Sequence, residues 1–128
     1  MLAQRHTVRR KEVHMAVLSR KAKPLTLEEG NRVLERDHYK CQYCGLDGLG
    51  SFENSLIMSV DFIVPRARKG KKEPQNLVAS CRPCNVIKGG RKFANFEEAK
   101  AFVLKKREEL RQKWEAKVAA TRTQAAKA

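Results

Sequence analysis

The sequence has no apolar run long enough to cross a bilayer and no leader of the secretory kind, so a cytoplasmic address is expected and membrane partners are not. It also lacks an amphipathic helix with bulky aromatic anchors, which argues against a membrane surface. No internal repeat is visible. Acidic residues are few: 14 Asp and Glu stand against 28 Lys and Arg, a formal net charge of +14. That imbalance attracts polyanions at long range and makes nucleic acid the expected partner, with no small-molecule substrate indicated. A chain of 128 residues with 41% hydrophobic content suits one small domain that buries a limited share of its surface.

Cysteine is scarce but not scattered. All four cysteines fall in two knuckles, Cys41-Gln42-Tyr43-Cys44 and Cys81-Arg82-Pro83-Cys84. In a reducing compartment such paired motifs hold metal more often than they form disulfides. Four thiolates complete a tetrahedral set with no position left for water, so a structural zinc ion is expected on Cys41, Cys44, Cys81 and Cys84. His38, close before the first knuckle, is read as structural, because the cysteines already supply four ligands.

Along the chain, residues 1–25 read as a basic arm and 26–90 as the central domain. Thr26-Leu27-Glu28-Glu29 has the form of a capping box and predicts a helix from about Leu27 to Arg36, with Leu27, Val33 and Leu34 as its apolar positions. Gly45 to Asn54 is expected to be loop, and Leu56 to Ile63 a buried strand with Leu56, Met58, Val60 and Phe62 on one face. Asp61 falls on the other face with Ile57, Ser59 and Ile63. A carboxylate among such neighbours is costly unless it is paired or holds a cation. Pro65 ends the strand, and Leu77 to Ala79 predicts a second strand, antiparallel to the first. A short helix then runs from the second knuckle through Lys88 to the stop at Gly89-Gly90. Residues 91–118 read as a helix packed on the domain, with Phe96, Ala99, Val103, Leu110, Trp114 and Val118 facing the core, and 119–128 as a frayed tail. Arg66, Arg68, Lys69, Lys71 and Lys72 in the loop after Pro65, joined by Arg82, Lys88 and Arg91 around the second knuckle, form the expected nucleic-acid-binding set.

The order of these pieces carries a resemblance. Cys-x-x-Cys, then Val60-Asp61-x-Ile63-Val64-Pro65, then Asn76-Leu77-Val78, then Cys81-x-x-Cys84-Asn85-x-x-Lys88-Gly89 resembles the HNH endonuclease family over Cys41 to Gly89. The resemblance implies an α+β fold: a ββα-metal finger with a four-cysteine structural zinc, flanked by an N-terminal helix and a long C-terminal helix. It implies DNA as substrate, met through the duplex backbone and minor groove. It also implies a catalytic divalent cation such as Mg²⁺, held by Asp61 and Asn85, while Asn76 hydrogen-bonds backbone across the hairpin. Phe62 stands where family members carry the histidine that activates the attacking water. Phenylalanine cannot accept a proton, and His6, His14 and His38 all precede the first knuckle. Two readings therefore stay open: an endonuclease with impaired chemistry, or a non-catalytic zinc-stabilised nucleic-acid-binding module.

Overall fold

The computed structural model describes residues 22–127, so most of the expected basic arm lies outside the described residues. The predicted first helix, α1, spans Leu27–Arg36. Its capping box is complete: the Glu29 backbone N–H donates to the Thr26 hydroxyl at 3.1 Å, and the Thr26 backbone N–H donates to the Glu29 carboxylate at 3.0 Å. Val33 is the buried residue of α1, and Leu27 is exposed.

After the first knuckle the chain departs from the sequence reading. The stretch expected to be loop and strand holds a five-residue helix, α2, over Phe52–Leu56. Ser51 starts it by accepting from the Asn54 backbone N–H at 3.0 Å, and the Asn54 side chain fastens the turn by donating to the Asp47 carbonyl at 3.0 Å. A local cap thus outweighs the β-forming character of the residues that follow. The first strand, β1, starts at Met58 and ends at Phe62. Its partner β2 runs Leu77–Cys81, two residues beyond the expected end, in an antiparallel register that sets Met58 opposite Cys81 and Phe62 opposite Leu77.

The far edge of β2 is covered rather than left open. The Ala79 N–H donates to the Asp37 carboxylate at 2.8 Å, and the Gln42 N–H, from inside the first knuckle, donates to the Ala79 carbonyl at 2.9 Å. Arg36 reaches the Pro74 carbonyl at 2.8 Å from the same corner. In the loop between the strands, a Cβ on Gly70 would lie 1.7 Å from the Val64 carbonyl oxygen, so only glycine lets the chain cross itself there. A short helix, α3, follows β2 over Arg82–Lys88, and Gly89, at φ 63°, stops it.

The last helix, α4, extends over Phe96–Lys127, 32 residues and about 48 Å. Ala99 and Val103 are buried and join Cys41, Tyr43, Cys81 and Cys84 in the core. The expected apolar stripe does not continue inward: Leu110 is 44% and Trp114 61% exposed. The helix is longer than the body it packs on, so the stripe runs past its partners. The residues expected to fray are helical to Lys127, in keeping with the alanines among them, the best helix formers.

These contacts make two measurable differences. Val103→Ala is expected to cost about 2 kcal/mol in urea unfolding followed by circular dichroism, whereas Leu110→Ala stays within about 0.5 kcal/mol. Glu29 is held down at about 2 from an ordinary 4.5, first by the Thr26 backbone N–H and then by Lys72, which pairs with it at 3.0 Å. A depressed carboxylate stabilises the fold above its unfolded pKa and loses that contribution as pH falls through the folded value. Melting temperature should therefore drop between about pH 4.5 and 2, and Glu29→Gln should remove part of that drop.

Candidate functional site

The four thiols converge from two directions. The first knuckle is a tight turn in which the Cys41 N–H donates to the Leu46 carbonyl and the Gly45 N–H to the Cys41 carbonyl, both at 2.9 Å. The second is built on the end of β2 and the first turn of α3, where Cys81 is the cap residue and Cys84 lies inside the helix. All four sulfur atoms lie within 4.8 Å of one another, and Cys44 and Cys81 are 3.7 Å apart. Tetrahedral ligation with metal–sulfur bonds of about 2.3 Å puts sulfurs about 3.8 Å apart, so the cluster has the dimensions of a single-ion cage.

Its electrostatics point the same way. Hydrogen bonds from Cys81 and Cys84 pull the Cys41 thiol down, while Cys81 is pushed up to about 11 and Cys84 higher, each first by its contact with Cys41. One thiolate thus suppresses the next, and four together need a cation. Arg107 of α4 supplies part of that charge by donating to Cys84 Sγ at 3.6 Å. Burial works against the guanidinium, but its interactions with Cys84, Cys44 and Cys81 outweigh it and its pKa is raised. Arg107 was not among the residues singled out from sequence. The available signal was a cation at helical spacing behind Ala99 and Val103 on a core-facing stripe. Cys44, the half-buried member of the four, borders a cavity of about 320 Å³ lined by Leu104, Arg107, Glu108 and Arg111.

Asp61 is the one buried residue of β1, on the face opposite Met58, Val60 and Phe62, and is 4% exposed. Its two oxygens have different partners. The Tyr43 hydroxyl, carried inside the first knuckle, donates to Oδ2, and the Lys88 ammonium lies 3.4 Å from Oδ1. Lys88 also donates to the Phe62 carbonyl at 3.0 Å and is fully buried. Burial raises the Asp61 pKa, and Tyr43 and Lys88 work against that rise. Desolvation first, and the Asp61 charge second, hold the Tyr43 phenol far above its ordinary range.

This corrects one expectation. Lys88 does not belong to the nucleic-acid surface; its ammonium is consumed internally by Asp61, because a buried carboxylate demands a partner. The other expected cations divide. Lys69, Lys71 and Arg82 are exposed. Arg66 donates to the Ala22 carbonyl at 2.9 Å, Arg68 to the Gly90 carbonyl at 3.3 Å, and Lys72 pairs with Glu29. Arg91 stacks on the Phe102 ring at 4.8 Å while remaining exposed.

Asn76 closes the loop between the strands. Its Oδ1 accepts from the Val64 N–H at 2.8 Å, and its Nδ2 donates to the Val64 carbonyl at 3.1 Å and the Lys71 carbonyl at 2.9 Å. Asn85 is half-buried on α3, one turn before Lys88 and so on the same side of that helix. Phe62 is half-buried opposite Leu77. His38 is exposed, at φ 56°, and outside the thiol cluster. For a hard cation, Asp61 and Asn85 offer oxygen donors of the right kind, and each Asp61 oxygen keeps a lone pair beyond its present hydrogen bond. By donor type the pair fits a hard cation, and the Lys88 ammonium already stands beside Asp61.

Two antiparallel strands, the helix after them and a four-sulfur cage across their ends make up the segment that matches a known family. Residues 41–91 match the HNH endonuclease family. A segment of 62 residues, 48% of the chain, is 42% identical to the CRISPR-associated endonuclease Cas9 of Corynebacterium diphtheriae, and spans 5% of that protein's length. No solved structure matches the chain. The resemblance drawn from the cysteines, Asp61, Asn76 and Asn85 thus coincides with the HNH segment, and the α+β fold with its ββα finger is the expected one.

Because three of the six core residues are cysteines of a cluster that could hold a metal ion, removing such an ion is expected to unfold the domain. Treatment with a strong chelator, or Cys84→Ser, should abolish cooperative melting by circular dichroism, and re-adding metal should restore the chelated protein alone. Persistent cooperative melting without metal would contradict the assignment.

Proposed function

We propose that this chain is an HNH-type, metal-dependent endonuclease acting on duplex DNA, with a structural zinc ion on Cys41, Cys44, Cys81 and Cys84 and a rate limited by Phe62. The observation that carries this reading is the Asn76 brace. Its three backbone hydrogen bonds hold the turn after β1 in the manner the family resemblance calls for. The residues of the finger divide the work. Asp61 and Asn85 would supply oxygen ligands to a hard divalent cation, which would supply charge to polarise the phosphodiester and stabilise the departing 3′ oxygen. Asn76 fixes the backbone of the residues that follow Phe62. Lys69, Lys71 and Arg82 offer exposed charge to the phosphates, and minor-groove approach is the geometry consistent with a ββα finger.

Loss of a positioned base costs about 10²- to 10⁴-fold in rate, which leaves room for slow cleavage within the roughly 10⁶-fold or greater accelerations enzymes reach. A second reading, a zinc-stabilised nucleic-acid-binding module without catalysis, is favoured by a specific pair of observations: Phe62 in the base position and Asp61 with both oxygens already engaged.

Supercoiled plasmid incubated with the protein and Mg²⁺ or Mn²⁺ separates the two. Slow nicking is expected, lost in Asp61→Ala and raised about 10²-fold or more in Phe62→His. No nicking in either metal, with DNA still bound, would establish the binding module instead. Binding itself should weaken steeply with salt, log K falling by about 0.9 per phosphate contacted for each unit of log salt.

A further inference from the structure

The buried pair of Asp61 and Lys88 has a consequence for cation binding. Lys88 is 0% and Asp61 4% exposed, so neither charge is relieved by solvent. The ammonium sits 3.4 Å from Oδ1 and is held from behind by the Phe62 carbonyl at 3.0 Å. We propose that Lys88 is the resident counter-ion of Asp61, competing with a divalent cation for the same carboxylate and keeping this chain's affinity for that cation low. The inference rests on Asp61 being a metal ligand.

The geometry favours competition over simple support. A residue that only oriented the carboxylate could be neutral, as Tyr43 is on Oδ2. Lys88 instead brings a full positive charge to Oδ1 of the carboxylate that a cation would use. At this distance, and away from the screening of bulk water and salt, like charges repel strongly enough to change cation affinity by about tenfold or more. Lys88 lies one turn after Asn85 on α3, so the competing charge stands on the same helix as the second expected ligand. The Phe62 carbonyl offers the ammonium only a neutral acceptor, so departure from Asp61 leaves it a foothold on the backbone of β1.

The test is Mn²⁺ binding, followed by electron paramagnetic resonance on protein that retains its thiol-bound metal, in wild type, Lys88→Met and Asp61→Asn. Methionine keeps the buried length without the charge. Lys88→Met is expected to bind Mn²⁺ about tenfold or more tightly than wild type, and Asp61→Asn to lose that binding. If Mn²⁺ binds through Asp61 but Lys88→Met leaves the affinity unchanged or weaker, the competition is overturned while the metal-ligand reading stands. If no binding depends on Asp61 in any variant, both fall.

A measurement on the unaltered protein covers the case in which Lys88→Met does not fold. With nitrogen-15 lysine, the Lys88 ammonium resonance, slow to exchange because it is buried, should move as Mg²⁺ is titrated and stay fixed in Asp61→Asn. A resonance that does not move while Mg²⁺ saturates Asp61 would overturn the proposal.

Discussion

Four sulfur atoms within 4.8 Å of one another are the constraint on which the rest of this structure depends. The core cluster holds Cys41, Tyr43, Cys81, Cys84, Ala99 and Val103, and half of it is cysteine. A chain this small has few large apolar residues to bury, and burial by itself stabilises small domains poorly. A metal ion closed in by the knuckles would join the turn after α1 to the start of α3, and β1 and β2 are paired between those points. The first turn of α3 and the Asn85 and Lys88 positions are thereby set relative to β1. Arg107 extends the constraint to α4, since the long helix is anchored partly by its charge against Cys84.

Tyr43 connects this clamp to the finger. It sits between two of the cysteines, packs its ring against Phe96 at 5.2 Å, and gives its hydroxyl to Asp61. One side chain therefore belongs to the metal cage, the α4 interface and the buried carboxylate together. An ion pair such as Asp61 and Lys88 contributes little net stability compared with apolar residues of the same size, while losing one member leaves a buried charge unpaired. Such a pair specifies an arrangement more than it strengthens one.

Much of this was legible in the residues. The capping box at Thr26, the two knuckles, the hairpin and the stop at Gly89 each have a local cause written in neighbouring residues, and each was expected, the hairpin strands differing by up to two residues at their ends. What was not legible lay either in a turn too short to show a period or in contacts between residues distant in sequence. α2 arose because Ser51 caps the Asn54 N–H and the Asn54 side chain ties back to the Asp47 carbonyl, a turn too short for periodicity to reveal. Lys88 looked like one more cation in a basic chain, and only the approach of Asp61 across 27 positions gave it another role. The stripe on α4 had the right spacing but no length of partner to match, and spacing alone does not say where a neighbouring body ends.

The placement of Trp114 decides what light can report about this protein. It is the sole tryptophan of the chain and is 61% exposed on a stretch of α4 well beyond Val103. Its emission will be that of a wetted indole before and after the sulfur cage opens, so the fluorescence most often used to follow unfolding is nearly blind to the event that matters. Tyr43, buried beside the thiols with its hydroxyl on a carboxylate, is the chromophore whose near-ultraviolet signal belongs to the cage.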